Sequence, residues 1–238
     1  MRAIVVVLLL LGWGAPALAG LEFTFPPGWR DLSVRAKPND MQGVPQAVRD
    51  AFDKLRDPRF TLAAIDFEAL KNASMAVVLA TKAPNAEPLN KDAIERYEPV
   101  FQQAMLDGLR GGGCSLLELD MTKIHDIPCG RLVYSLTANN LNFRALMYII
   151  PGGDEVGAIM FLCDPNVYAA RVGFFDALAQ STQGVRPVLV PRQPAAAAGS
   201  GPIDPVQLAA YTFLIVAVGY GVTTLRAPSD QPEDEAGS

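Results

Sequence analysis

The sequence predicts an α+β domain, an antiparallel β-sheet with helices covering at least one face, followed by a single C-terminal transmembrane helix. Three observations carry this expectation. Four strand-like runs follow one another between residues 113 and 163, and their links are so short that neighbouring strands must be antiparallel. One helical pattern precedes these runs and another follows them, so helices are available to cover the sheet. The chain also opens and closes with uncharged apolar runs, "AIVVVLLLL" and "VQLAAYTFLIVAVGYGVTTL", that fit neither pattern.

At the N-terminus, "MRAIVVVLLLLGWGAPALAG" has a charged start at Arg2, an apolar core from Ala3 to Leu11 and small residues at Ala17 and Ala19. That is the three-part pattern of a secretory signal peptide, with cleavage expected after Ala19. The alternative, an uncleaved anchor, is disfavoured by length, because a span needs about 20 apolar residues. The mature chain, from Gly20, is therefore expected to be exported.

The elements then follow in order. "LEFTF" alternates and stops at Pro26-Pro27-Gly28, a strand and a turn, and Trp29 next to it is expected to pack its indole on the sheet. Val44, Val48, Phe52 and Leu55 recur at helical spacing, with Pro45 suited to a first turn. "FTLAAIDF" and "SMAVVLAT" read as strands separated by "EALKNA". Asn90 can cap a helix carrying Ile94, Tyr97, Phe101, Met105 and Leu109; Pro99 either kinks or restarts it, and Gly111 to Gly113 end it. The runs "CSLLELDM", "GRLVYSLT", "LNFRALMYII" and "VGAIMFLC" form a meander joined by "HDIP", Asn139-Asn140 and "PGGDE". Asp164-Pro165 reads as an N-cap with Pro in the first turn, opening a helix with Tyr168, Val172, Phe175 and Leu178 on one face.

The chain has three cysteines, Cys114, Cys129 and Cys163, and one histidine, His125. No CxxC spacing is present, so no metal ligand set is assigned. With "HDIP" as the turn, Cys129 faces about Ile124 and Cys114 lies well down the other strand, which argues against a bridge between them. All three thiols then read as small buried hydrophobes. An enzyme needs a nucleophile with an oriented base, and His125 with Cys129 is the one candidate pair, lacking an evident third group. A hydrolase or thiol-dependent enzyme using His125 or a free cysteine is thus the alternative function. Glu118 and Asp120 share one strand face, read as its wet face, and "GGGC" lacks the Lys and Ser/Thr of a phosphate loop. No catalytic, cofactor-binding or metal residue is assigned, and no cofactor is expected. The net charge of −5 and the interspersed bases exclude a basic nucleic-acid face.

Toward the C-terminus, "RPVLVPRQPAAAAGSGPIDP" has the prolines and small residues of a linker. No charge then occurs between Asp204 and Arg226, a length that suits a tilted span. Tyr211 and Tyr220 suit the two interfaces and Arg226 the inner face, so the N-terminus is expected outside and the C-terminus inside. A core helix is the alternative reading. Ala217 and Gly221 form a small-xxx-small pair that would let two spans approach. The tail, with Asp230, Glu233, Asp234 and Glu235, cannot bury enough apolar surface to order itself. The expected layout is signal peptide 1–19, domain 20–184, Pro/Ala-rich linker 185–205, transmembrane helix 206–225 and acidic disordered tail 226–238.

"LEFTFPPGWRDLS" resembles the F-x-x-P-x-G-W-x-D-x-S opening of PsbP-like proteins, including bacterial envelope proteins of the DcrB type. The order "IPCGRLVYSL", "YIIPGGDEVGAIMF", "DPNVYAARVGFFDALAQS" resembles that family's closing strands and C-terminal helix, so the likeness covers about Leu21 to Ser181. It implies an antiparallel sheet sandwiched by helices and a role in binding or envelope maintenance, and it offers no catalytic residue to transfer. The span departs from most members. The expected function is an exported, membrane-anchored, non-catalytic module with a protein or lipid ligand. Its expected place is the inner (cytoplasmic) membrane of a bacterium, with the domain on the extracytoplasmic side. Trp29, His125 and Tyr168 are the expected groove or partner contacts.

Overall fold

The computed structural model describes residues 27–187, except 33–35, 37–41, 45, 47–48, 50–59, 67, 69–75, 85–87, 110–111, 139–140 and 154. The signal peptide, the "LEFTF" strand, most of the helix expected around Phe52, most of the "EALKNA" link, the linker after Pro187, the 206–225 span and the tail lie outside the described residues. Among those described, no helix is long and apolar enough to cross a membrane.

Among the described residues, seven strands build one sheet: β1 (Trp29–Asp31), β2 (Phe60–Asp66), β3 (Ala76–Pro84), β4 (Gly113–Ile124), β5 (Ile127–Ala138), β6 (Leu141–Pro151) and β7 (Glu155–Cys163). Their order is β1-β2-β3-β7-β6-β5-β4, and every pairing is antiparallel. The fold is α+β. The last four strands form the expected meander, and β7 closes it against β3, so β3 and β4 end up on opposite sides of the meander. The connection between them carries helix α1 (Lys91–Gly108) across one sheet face. Helix α2 (Pro165–Gln180) follows β7 and covers the other face.

Two-sided cover explains why β6 reads as an almost unbroken apolar run rather than an alternating one. Phe143, Ala145, Met147 and Ile149 face Ile94, Phe101 and Met105 of α1, while Leu146, Tyr148 and Ile150 face Phe175, Leu178 and Ala179 of α2. Phe161 of β7 stacks on Phe175 at 4.9 Å between ring centroids. Gly130 lets α1 approach closely, since a Cβ there would meet Ile94 Cδ1 at 2.9 Å.

Both helices begin where the sequence places them. The Asn90 side chain accepts the Ala93 N–H at 2.8 Å, and the Asp164 side chain accepts the Asn166 N–H at 2.9 Å. Pro99 lies inside α1, a single helix, at the loss of one backbone hydrogen bond.

The β4–β5 turn differs from expectation. It comprises only His125 and Asp126, both left-handed (φ 50° and 63°), between the paired Ile124 and Ile127. Cys129 therefore stands opposite Thr122, not Ile124, and Pro128 belongs to the strand, opposite Lys123. Pro128 is tolerated because β5–β6 pairing starts only at Gly130, so no neighbour on that side asks for its missing N–H. Cys114 stands opposite Leu136 at the far end of β5, and all three cysteines are free.

Candidate functional site

Helix α2 organises both surface features that a ligand could use, and the groups with reactive potential fall outside them. The three thiols are inert by burial. Desolvation pushes Cys129 up to about 11, and Cys114 and Cys163 up to about 12, so at neutral pH none is a thiolate. Cys129 Sγ donates to the Ile127 carbonyl at 3.4 Å, and His125 Nε2 bonds the Thr182 carbonyl at 2.9 Å. His125 thus ties the β4–β5 turn to the residue after the last turn of α2, a fastening role. Among the described residues, no group of three or more His, Cys, Asp or Glu could hold a metal ion.

One flank of α2 carries charge. Asp120, Arg131 and Tyr148 share a sheet face because they pair across adjacent strands, and the β4 bulge between Leu116 and Glu118 turns Glu118 to that face beside Val133. Arg131 pairs with Glu118 at 3.1 Å and Asp176 of α2 at 3.5 Å, and the Tyr148 hydroxyl donates to Asp176. Burial works against the Arg131 charge, but Glu118, Tyr148 and Asp176 outweigh it and hold the guanidinium above its ordinary value. Burial, then the bond to Asp176, raises Tyr148. Beside this network the Arg144 guanidinium lies 5.7 Å over the Tyr168 ring. Arg144 Nε and the Tyr168 hydroxyl are closed to solvent and have no hydrogen-bond partner among the described residues. On the opposite sheet face, burial raises the Glu98 carboxyl above its ordinary value, and Tyr134 beside it offsets part of that rise.

The other flank is apolar. A cleft of about 360 Å³ is lined by Phe174, Ala177, Leu178, Ser181 and Gln183. Trp29, half-buried on edge strand β1, sets its ring 6.3 Å from that of Phe174, which is 39% exposed. An Arg171–Asp66 ion pair at 2.6 Å fixes α2 to β2 alongside.

The expected contacts do not converge in one groove. Trp29 joins the apolar flank, Tyr168 the charged one, and His125 sits beyond the far end of α2, about 21 Å from Tyr168 by helical rise between residues 168 and 182. Phe174, Arg131 and Asp176 were not anticipated. Phe174 had a signal: in a Phe-Phe doublet only one ring can lie on the stripe with Val172 and Leu178, so the other must face outward. The Arg131–Asp176 pair had none, since its partners lie 45 residues apart in the sequence.

No family model and no curated protein matches the chain. Among solved structures it is similar to cyanobacterial PsbP (CyanoP) from Synechocystis sp. PCC 6803, at 15% identity and a TM-score of 0.49, over 71% of this chain and 88% of that one. It is also similar to LpqN of Mycobacterium tuberculosis, involved in cell envelope biogenesis, at 10% identity and a TM-score of 0.40, over 68% of this chain and 81% of that one. At such identities the likeness concerns the course of the chain and brings no function with it.

Proposed function

We propose that the chain is an exported module, anchored in the cytoplasmic membrane by residues 206–225, that binds an apolar protein or lipid ligand along α2 and carries out no catalysis. The observation that carries this reading is the cleft beside α2, whose volume of about 360 Å³ falls within the usual range for ligand sites, about 300–1,000 Å³. An enzyme of the kind considered would gather His125, Cys129 and an acid in such a cleft. This cleft is lined by Phe174, Ala177 and Leu178 with two neutral polar residues, and Cys129 is buried elsewhere. The anchor reading rests on the sequence: no charge between Asp204 and Arg226, behind a proline-rich stretch.

Carbonate washing of membranes carrying the full chain tests the anchor. The wild type should stay in the pellet, and Leu214→Arg, near the middle of the run, should be partly released. A central Arg opposes insertion by about 2.5–3.5 kcal/mol. A wild type that washes off would refute the span. Binding is read with the apolar dye anilinonaphthalene sulfonate: fluorescence that is enhanced by the folded protein and lost in Ala177→Asp supports the cleft, and equal enhancement in both refutes it.

A further inference from the structure

The cleft lies beside the last described residues, from which the sequence runs on to the apolar stretch. Gln183 lines it, four residues before Pro187, the last described residue. In between, the Arg186 N–H donates to the Pro151 carbonyl at 2.9 Å and the Gly153 N–H donates to the Arg186 carbonyl at 3.2 Å. The exit is therefore pinned to the end of the sheet beside the last turn of α2. From residue 188 to residue 205, 18 residues separate this exit from the apolar run. A flexible chain of that length has a root-mean-square span of about 21–25 Å. That is shorter than the width of a domain of this size, about 40 Å. A domain so tethered keeps Arg186 and the last turn of α2, with the Gln183 end of the cleft, close to the bilayer, and the cleft runs back from there along this flank of α2 toward Phe174.

That flank carries the side chains suited to such a surface. Trp29 and Phe174 lie ring by ring at 6.3 Å, with Ala177 and Leu178 beside them. An amphipathic ring such as that of Trp29 settles at the headgroup level of a bilayer, and Phe174 adds exposed apolar area beside it. Two rings and a shallow cleft would bind vesicles weakly on their own. The tether makes docking intramolecular, with an effective concentration in the millimolar range for short flexible links, so weak intrinsic affinity suffices.

We propose that the cleft lined by Phe174, with Trp29 at its margin, docks on the surface of the lipid bilayer to which the chain is tethered, so that α2 lies along the membrane. The inference rests on the reading of residues 206–225 as a span. Its test uses a property of the mature chain: of the two tryptophans, Trp13 lies in the signal peptide, so Trp29 is the only indole once that peptide is removed.

Mature protein, complete to Ser238, is reconstituted in phosphatidylcholine vesicles and in vesicles whose acyl chains are brominated near the headgroup. Docking predicts that Trp29 loses much of its fluorescence in the brominated vesicles. Phe174→Asp and, separately, Ala177→Asp should restore it while the protein still floats with the vesicles and keeps its circular dichroism; the second variant, at an exposed helix position, guards against misfolding. Wild-type protein that floats with the vesicles and shows no quenching overturns the proposal and leaves the anchor reading intact. Protein that does not float with them overturns both. Quenching that appears only after Val188, Leu189 and Val190 are changed to Ser means that those residues fill the cleft, and this too overturns the proposal.

Discussion

Trp29 shows how burial of a single side chain sets both its energetic weight and its availability. Sequence reading placed its indole in the core, and the ring does pack against the α2-side core, but it is only half-buried, at the margin of the sheet beside Phe174. Trp29→Ala should therefore lower stability by less than the about 3–5 kcal/mol of a fully buried ring. Thermal unfolding checks this: a modest fall in Tm is expected, and an unchanged Tm would show that the ring packs on nothing. At this scale the sequence was informative wherever a residue's role is local. Asn90 and Asp164 are caps because their side chains reach backbone two or three residues away, a relation written in adjacent letters. Arg131, Asp176, Trp29 and Phe174 owe their roles to partners distant in the chain, and no local pattern reports such pairs.

At the scale of elements, the junction between α1 and β4 is the most sharply constrained. A Cβ at Gly112 would lie 2.0 Å from the Thr137 carbonyl oxygen, an impossible contact with backbone, whereas at Gly113 the nearest atom is Thr137 Cβ at 3.8 Å. Gly112→Ala must push the end of β4 away from β5 and should lower stability by about 1–3 kcal/mol, the range of overpacking substitutions. Gly113→Ala should stay within about 0.5 kcal/mol of the wild type, as tolerated substitutions do. Urea unfolding of the two variants measures the contrast, and equal effects would contradict the close approach. The "GGG" run was legible as a helix stop, but which glycine is indispensable depends on β5, about 25 residues later. The hairpin turn was misjudged for a related reason. Pro128 looks like a turn residue in sequence, yet its missing N–H is harmless in a strand stretch that β6 does not reach.

Over the described residues the molecule is a sheet with a buried core on each face, and its titration behaviour follows from that. Cys129 is raised by burial to about 11, Cys114 and Cys163 to about 12, all from 9.0, and Tyr134 and Tyr148 shift the same way. The native state then holds protons that the unfolded chain releases from about pH 9 upward. Their contribution to stability is complete below that pH and is lost as pH climbs toward 11 and 12. The urea midpoint should be lower at pH 10 than at pH 7, and a midpoint unchanged between them would contradict the burial. Native protein should likewise resist thiol reagents that label three cysteines per chain in denaturant. The antiparallel meander with its flanking helices was readable because period, caps and short links all agree along the chain. The pairing of β3 with β7, which brings α2 beside β1 and sets Trp29 against Phe174, is set by packing over some 80 residues of separation and left no such trace. The central claim, a domain held outside the membrane by residues 206–225, is tested most directly by adding protease to the outer side of intact membranes and weighing what remains. The account predicts a mature chain starting at Gly20, cleavage between residues 188 and 205, and a protected membrane fragment running to Ser238. A chain that keeps Met1, or a domain protected while the acidic tail is removed, would contradict it.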